Sequence, residues 1–482
     1  MKKVRNYYLN TVLNFHSNIF KNLSNFGNSV ALTDSKNSIN YFDLVKRADK
    51  KVARLEKKSL IFLLVSNDFE SILTYIGCVR RGLVPLLLPE NIDLNFLSSL
   101  INNYSPNYLF LKKSLKFNNK EFVKESDCNE YFFLRNINLK KYKLNDNLAL
   151  LLSTSGSTGS PQLVRISSKN LIENTISICD SLDINKSDKP ITTLPLNYTF
   201  GLSILNSHLI NGCEIIVNSN SIVEKNFWNL VKEKKVTSFG GVPFTYSTLY
   251  KLGLKRINFH SISKLTQAGG KLDNSLISEF LNHCSKNKIK FYVMYGQTEA
   301  TARMSCLDPK FLSSKIGSIG KAIKNGKFYL IDENGEIIKT PNSVGELCYS
   351  GPNVSMGYAE KLSDLYLDDV NKGELRTGDL AKFDSDGFYY IEGRKKRFVK
   401  VYGNRVSLDR IEKIIYEFGF ECAVIGHDNK VDIFVVISED KIKTISNLLL
   451  EKIKLNKAAF NFFSVKYIPR NESGKVLYNK FV

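Results

Sequence analysis

Over roughly its first 300 residues the chain alternates short apolar runs with longer amphipathic stretches. Leu60–Val65, Leu83–Leu88, Glu214–Val217 and Lys290–Met294 are such runs, each flanked by Gly, Pro or Asn. This alternation predicts βα units and largely parallel sheets. The runs, with Leu148–Leu152, are far short of the ~20 apolar residues that cross a bilayer. They are expected to be buried strands, and no membrane span is expected.

From about Phe328 the pattern changes to closely spaced short strands with Gly, Asn and Asp turns: KFYLIDENGEII, GELCYSG and GFYYIEG. Asp332-Glu333-Asn334-Gly335 is a hairpin signal. After Gly393 a basic stretch leads into the strand-like Phe398–Tyr402. A helix is then expected with Leu408, Ile411, Ile415 and Phe418 on one face and Ser407 as its N-cap. Val431–Ile437 reads as a strand, Lys441–Ile453 as a helix and Phe463–Ile468 as a last strand. A chain of 482 residues exceeds what one core organises, roughly 250–300 residues. The fold class is therefore α/β. Its expected parts are a large N-terminal domain of mixed, mainly parallel sheets over residues 1–394, with a β-rich subdomain at 328–393, and a small mobile α+β domain over 395–482.

The net charge is +21, from 68 Lys+Arg against 47 Asp+Glu. Such a balance suits an anionic partner. The lysines are nevertheless spread along the chain among many asparagines, and no basic helix or aromatic-interleaved stripe stands out, so a nucleic-acid partner is not expected. The eight cysteines form no C-x-x-C pair and no Cys/His group at metal-ligand spacing, which suits reduced thiols in the cytoplasm. The N-terminal MKKVRNYYLNTVLNF has no uninterrupted apolar segment of signal-peptide type. The oligomeric state stays open.

Leu148–Pro161, LALLLSTSGSTGSP, carries the first chemistry. A buried strand runs into a loop of Ser, Thr and Gly, which can present several backbone N–H groups and hydroxyls to one anion. It is not the G-x-x-x-x-G-K-[ST] phosphate loop.

Other segments surround it in order: TSGSTGSP, LPLNYTFGLS, YGQTEA, GELCYSGPNVSMGY, LRTGDLAKFDSDGFYYIEGRKKR, VYGNRVSLDRIE and PRNESGK. Together they resemble the AMP-forming adenylating superfamily of acyl-CoA synthetases, amino-acid adenylation domains and luciferases, and most of all a bacterial acyl-CoA synthetase. The resemblance runs from about Ser38 to Val482. It implies an enzyme that joins a carboxylic acid to ATP as an acyl-adenylate, releases pyrophosphate, and passes the acyl group to coenzyme A. Both reactants are anions, so positioning and charge neutralisation have to do the catalysis.

The resemblance also implies residue roles. Thr154, Ser155, Gly156, Ser157, Thr158 and Gly159 hold the β- and γ-phosphates. Glu299 holds Mg2+, Thr298 hydrogen-bonds the α-phosphate, and Tyr295, with Gly296 and Gln297, packs on the adenine. Asp379 accepts the ribose hydroxyls and Arg394 reaches ribose and phosphate. Lys475 bridges the attacking carboxylate and the α-phosphate. Lys396 is the hinge about which the C-terminal domain turns between the two half-reactions. Tyr198, Phe200, Gly201, Gly241, Gly269 and Gly270 line the acid pocket.

Two departures stand out. The family's phosphate loop usually continues Lys-Pro-Lys-Gly, but this chain has Ser160-Pro161-Gln162-Leu163, with Arg165 or Lys169 as candidate replacements. Tyr198 stands where acyl-CoA synthetases often carry His. No acidic residue lies between Ile191 and Cys213, which disfavours a substrate with an α-amino group. A phosphopantetheine arm on an acidic carrier protein remains an alternative acceptor. A non-catalytic nucleotide-binding member of the fold remains the alternative of another class.

Overall fold

The computed structural model describes residues 18–138, 142–153, 162–254, 257, 259–401, 404–427, 430–453, 457–471 and 474–481. They form two compact units. One comprises the chain up to Lys327 with Ser350–Leu375, the other Phe328–Tyr349 with Arg376 onward.

The first unit is built on an eight-stranded sheet. Its centre is parallel, with Leu148–Ser153, Val84–Pro89, Leu60–Val65 and Tyr108–Lys112 side by side. Its edges are antiparallel: Leu163–Ser167 and Tyr358–Ala359 on one side, Tyr131–Asn136 and Phe122–Cys128 on the other. The apolar run at Leu60–Val65 follows from its central place. Leu60, Phe62 and Leu64 enter one core, and Ile61, Leu63 and Val65 enter another. Successive side chains point to opposite faces, so a strand covered on both faces needs apolar residues at every position.

A second sheet of this unit positions the site. Ser238–Gly241, Lys264–Gln267 and Lys290–Tyr295 run parallel, and Ser305–Leu307 and Lys321–Ala322 continue it antiparallel. The predicted site residues Gly269, Gly270, Gly296, Gln297, Thr298 and Glu299 all follow the carboxyl ends of these parallel strands, where open α/β sheets place their ligands. The helices Ser168–Leu182 and Thr199–Leu209 pack against each other in the same unit. The first begins with a capping box between Ser167 and Asn170.

In the second unit the hairpin at Asp332–Gly335 forms as the turn chemistry predicts. Gly335 has φ 91, and Asp332 N–H donates to Glu336 O at 2.9 Å. The helix Leu408–Glu417 starts at Ser407, whose hydroxyl accepts from Arg410 N–H. Ile411, Ile415, Val431, Ile433, Ile445 and Leu449 form the core beneath it. The last strand differs from expectation, running over Phe460–Val465 parallel to Lys430–Val436. Phe462 and Phe463 interrupt the apolar alternation, because Phe463 stacks on Phe434 on the face opposite that core. Ile468 is buried beyond the strand's end.

Among the described residues no helix is long and apolar enough to cross a membrane. None of the eight cysteines forms a disulfide.

Candidate active site

The strand Lys290–Tyr295 ends in the segment that carries Thr298 and Glu299. Met304 N–H donates back to Tyr295 O at 2.9 Å and closes this segment into a turn. Inside it Thr301 adopts φ 66, which is rare for a β-branched residue and costs about 1–3 kcal/mol. Four bonds hold the conformation. Thr301 N–H donates to Thr298 O at 2.9 Å and its hydroxyl to Asn353 O at 2.8 Å. Asn353 Nδ2 donates to both Ala300 O and Arg303 O at 2.9 Å. Asn353 is buried, so these bonds work in a low-dielectric setting and make the turn rigid.

The Glu299 carboxylate accepts from the Tyr358 hydroxyl at 2.6 Å. Burial, and then the charge of Glu299, push the Tyr358 phenol well above its ordinary pKa, so it stays a donor. Among the described residues no lysine or arginine pairs with Glu299, and no three His, Cys, Asp or Glu side chains gather into a metal-binding group. A single carboxylate fits Mg2+, which commonly takes one or two protein carboxylates and fills its shell with waters and substrate phosphates. Gln297 Nε2 donates to the Tyr295 hydroxyl at 3.2 Å.

Beside this turn lies a buried cavity of about 20 Å³, lined by Phe200, Ile204, Gly240, Thr266, Lys264 and Arg303 among others. Gly240 keeps it open. A Cβ there would sit 2.8 Å from Ile204 Cδ1 and 3.0 Å from Phe200 Cζ. Tyr198 packs edge-on to Phe200, with ring centroids 6.5 Å apart. Gly269 has φ 83, and a side chain on it would collide with the Tyr198 hydroxyl. A side chain on Gly270 would meet Pro243. Gly201 and Gly241 serve close packing. A Cβ on Gly201 would press on the carbonyls of Leu194 and Pro195, and one on Gly241 on Thr245 and Tyr246.

In the second unit, Asp379 and Arg394 come together. They are cross-strand partners between Glu374–Phe383 and Tyr389–Arg394, with Arg394 Nε 3.4 Å from Asp379 Oδ1. Asp379 is buried, and its N–H donates to the Thr377 hydroxyl at 3.1 Å. The hinge candidate Lys396 sits in the short 3-10 turn Lys395–Arg397. Its neighbours are tied in opposite directions. Lys395 pairs with Glu346 at 3.0 Å, whereas Arg397 pairs with Asp409 at 2.7 Å and Glu412 at 2.6 Å and stacks on Tyr478 at 4.2 Å. Lys475 lies on a tight turn. Its N–H donates to Asn471 Oδ1 at 2.9 Å, and Asn471 N–H donates to Lys475 O at 2.9 Å. Arg470 braces the turn by donating to Gly474 O, the Tyr416 hydroxyl and Glu421, each at 3.1 Å.

The phosphate-loop candidates Thr154, Ser155, Gly156, Ser157, Thr158 and Gly159 lie outside the described residues. The strands on either side end at Ser153 and Leu163, which pair with each other.

The family model described as AMP-binding enzyme matches residues 19–359. The chain belongs to the AMP-binding enzyme family. Among its relatives in this family is a 2-succinylbenzoate–CoA ligase of Bacillus licheniformis, 25% identical over 475 residues, covering 94% of this chain and 96% of the relative. Solved structures share the fold. An o-succinylbenzoate CoA synthetase of Bacillus subtilis in complex with its acyl-adenylate intermediate superposes with a TM-score of 0.78 at 20% identity, over 96% of this chain and 98% of that one. The same enzyme in complex with ATP and magnesium ion gives 0.76 at 22%, again over 96% and 98%.

As a member of the AMP-binding enzyme family, this chain lacks the usual loop lysines, and the structure removes one candidate replacement. Arg165 is fully buried and donates to the carbonyls of Met356, Tyr358, Leu367 and Asp368. It is a structural strut, so Lys169, which is exposed at the start of its helix, is the candidate left. Arg165→Met is expected to lower unfolding stability by about 2–4 kcal/mol, because several buried carbonyls lose their donor. Denaturant titration measures this, and a loss below about 0.5 kcal/mol overturns it.

Sequence reasoning passed over Arg303, Asn353 and Tyr358. All three lie inside quoted motif segments or directly beside them. What sets Arg303 and Asn353 apart is burial, and what sets Tyr358 apart is its bond to Glu299; both depend on how distant segments meet.

Proposed function

We propose that this chain is an AMP-forming acid–CoA ligase. The observation that carries the proposal is the Tyr295–Met304 turn. It holds a carboxylate that pairs with no lysine or arginine among the described residues, and it adjoins a cavity in the same unit. The similarity to 2-succinylbenzoate–CoA ligases supports coenzyme A as the acceptor. The absence of disulfides among eight cysteines supports a cytoplasmic setting.

In the first half-reaction an oxygen of the substrate carboxylate attacks the α-phosphorus of ATP, and the bond to the β-phosphate oxygen breaks to release pyrophosphate. Glu299 would hold Mg2+, which when bound neutralises the leaving pyrophosphate. The loop Thr154–Gly159 would hold the same phosphates, Thr298 the α-phosphate, Tyr295 the adenine, and Asp379 with Arg394 the ribose. Lys475 would bridge the two anions as the new bond forms. In the second half-reaction the thiolate of coenzyme A attacks the acyl carbon and AMP leaves. A turn of residues 395–482 about Lys396 would withdraw Lys475 between the steps. The opposed anchoring of Lys395 and Arg397 around Lys396 supports that pivot.

A panel of carboxylic acids, including 2-succinylbenzoate, tests the proposal with ATP, Mg2+ and either coenzyme A or a phosphopantetheinylated carrier protein. The expected products are AMP and pyrophosphate in equal amounts, with thioester forming on coenzyme A. EDTA is expected to abolish release and excess Mg2+ to restore it. Formation of ADP, or no pyrophosphate with any acid, overturns the proposal. Thioester on the carrier protein alone overturns the choice of acceptor.

A further inference from the structure

Arg303 is 2% exposed, and neither its Nε nor its Nη1 has a hydrogen-bond partner. It lines the cavity bounded by Phe200, Gly240 and Thr266. Its backbone is fully engaged. Arg303 O accepts from Asn174 at 2.7 Å and from Asn353 at 2.9 Å, and its N–H donates to Asn174 Oδ1 at 3.2 Å. The main chain therefore holds the residue in place, and its head is left to the cavity.

Burial lowers the guanidinium pKa to about 10, which leaves it charged at neutral pH. The ring of Phe200, 4.9 Å away, offers a cation–π contact that offsets part of the desolvation. It cannot replace the missing acceptors, and an unpaired buried charge is costly.

The other cation of the cavity is settled differently. Lys264 pairs with the buried Asp188 at 2.7 Å and donates to Asp183 O at 2.8 Å. The Asp188 carboxylate is thus taken up by Lys264, and among the described residues that line the cavity Arg303 is the other cationic side chain. The pocket is apolar and positive, and the Nε and Nη1 donors of the guanidinium face no acceptor. Each of these donors can make a charge-assisted hydrogen bond to a carboxylate oxygen.

We propose that Arg303 receives a second carboxylate of the acid substrate, so that the enzyme activates compact dicarboxylic acids at the carboxyl group remote from Arg303. The inference rests on the ligase function proposed above and narrows its substrate class. Arg303 follows Glu299 on the same closed turn, so the group that anchors the far end of the acid is built into the segment that serves the reacting end.

The test compares matched acids: glutarate with its monoamide glutaramate, and 2-succinylbenzoate with 3-benzoylpropionate, which lacks the ring carboxylate. In pyrophosphate release the wild type is expected to favour the diacid of at least one pair by about 10–100-fold in kcat/KM, the range of a charge-assisted bond. Arg303→Met should erase that preference, mainly through KM, and leave the monoacid within a fewfold of wild type. Arg303→Lys should keep part of it. Thermal stabilisation by the diacids without ATP gives a second readout, expected in wild type and lost in Arg303→Met. Equal use of both members of each pair overturns the inference and leaves a buried water as the partner of Arg303. So does an Arg303→Met that slows mono- and diacids alike. If no acid releases pyrophosphate, the ligase function fails; diacid stabilisation that depends on Arg303 still supports the subsite, and its absence overturns both.

Discussion

Lys475→Ala is expected to slow acyl-adenylate formation by about 100- to 1,000-fold, in the range for loss of one preorganised charge at a transition state. The turn is held by backbone and neighbouring groups: Asn471 with the Lys475 main chain, and Arg470 with Gly474, Tyr416 and Glu421. Alanine keeps every one of these bonds. The loss should therefore fall on the step in which two anions are brought together. ATP affinity, supplied by other groups, should change by no more than a fewfold. Thioester formation from a supplied acyl-adenylate and coenzyme A should survive, because the carboxylate is by then already bonded to phosphorus. Single-turnover kinetics of the two half-reactions separate these outcomes. A variant that adenylates within a fewfold of wild type removes Lys475 from the mechanism.

Parts of this architecture are legible in the sequence because one physical constraint dominates locally. A strand buried on both faces admits only apolar residues, so Leu60–Val65 announces itself with its observed bounds. The Asp332–Gly335 turn and the Ser407 cap are short-range chemistry and appear where their residues predict. The edge strand Phe122–Cys128 is mostly solvent-facing, so little in its composition marks it. The final strand begins at Phe460 because its neighbour dictates the register, with Val431 opposite Phe460, and a local pattern does not carry that information. The candidate site divides in the same way. Glu299, Asp379 and Lys475 are visible through motif order. Arg165 and Arg303 are two arginines with opposite fates: one is consumed by backbone carbonyls and the other is left facing a cavity. That distinction arises only once Met356–Asp368, Phe200 and Gly240 are in place.

Gly296→Ala is expected to be as damaging as the loss of Lys475, by a different route. A Cβ at residue 296 would lie 2.7 Å from Ala302 C and 3.0 Å from Arg303 Cα, and closer still to Ala302 O. Contacts this short are with backbone, so no side-chain rotation relieves them. The two arms of the turn have to separate. Separation breaks the bond from Met304 N–H to Tyr295 O and pulls on Thr301, which already holds an unfavourable φ. Overpacking of this kind costs typically 1–3 kcal/mol of stability. The effect on rate should be larger, because a displacement of about 1 Å in a positioning element can cost on the order of 100-fold. Glu299 and Arg303 move together when the arms part, so affinity for Mg2+-ATP and preference between acids should fall in the same variant. Lys475→Ala leaves both of these intact. Isothermal titration with Mg2+-ATP and the matched acid pairs read the two effects separately. If Gly296→Ala folds with wild-type stability and retains adenylation within tenfold, the closed turn is not what positions Glu299.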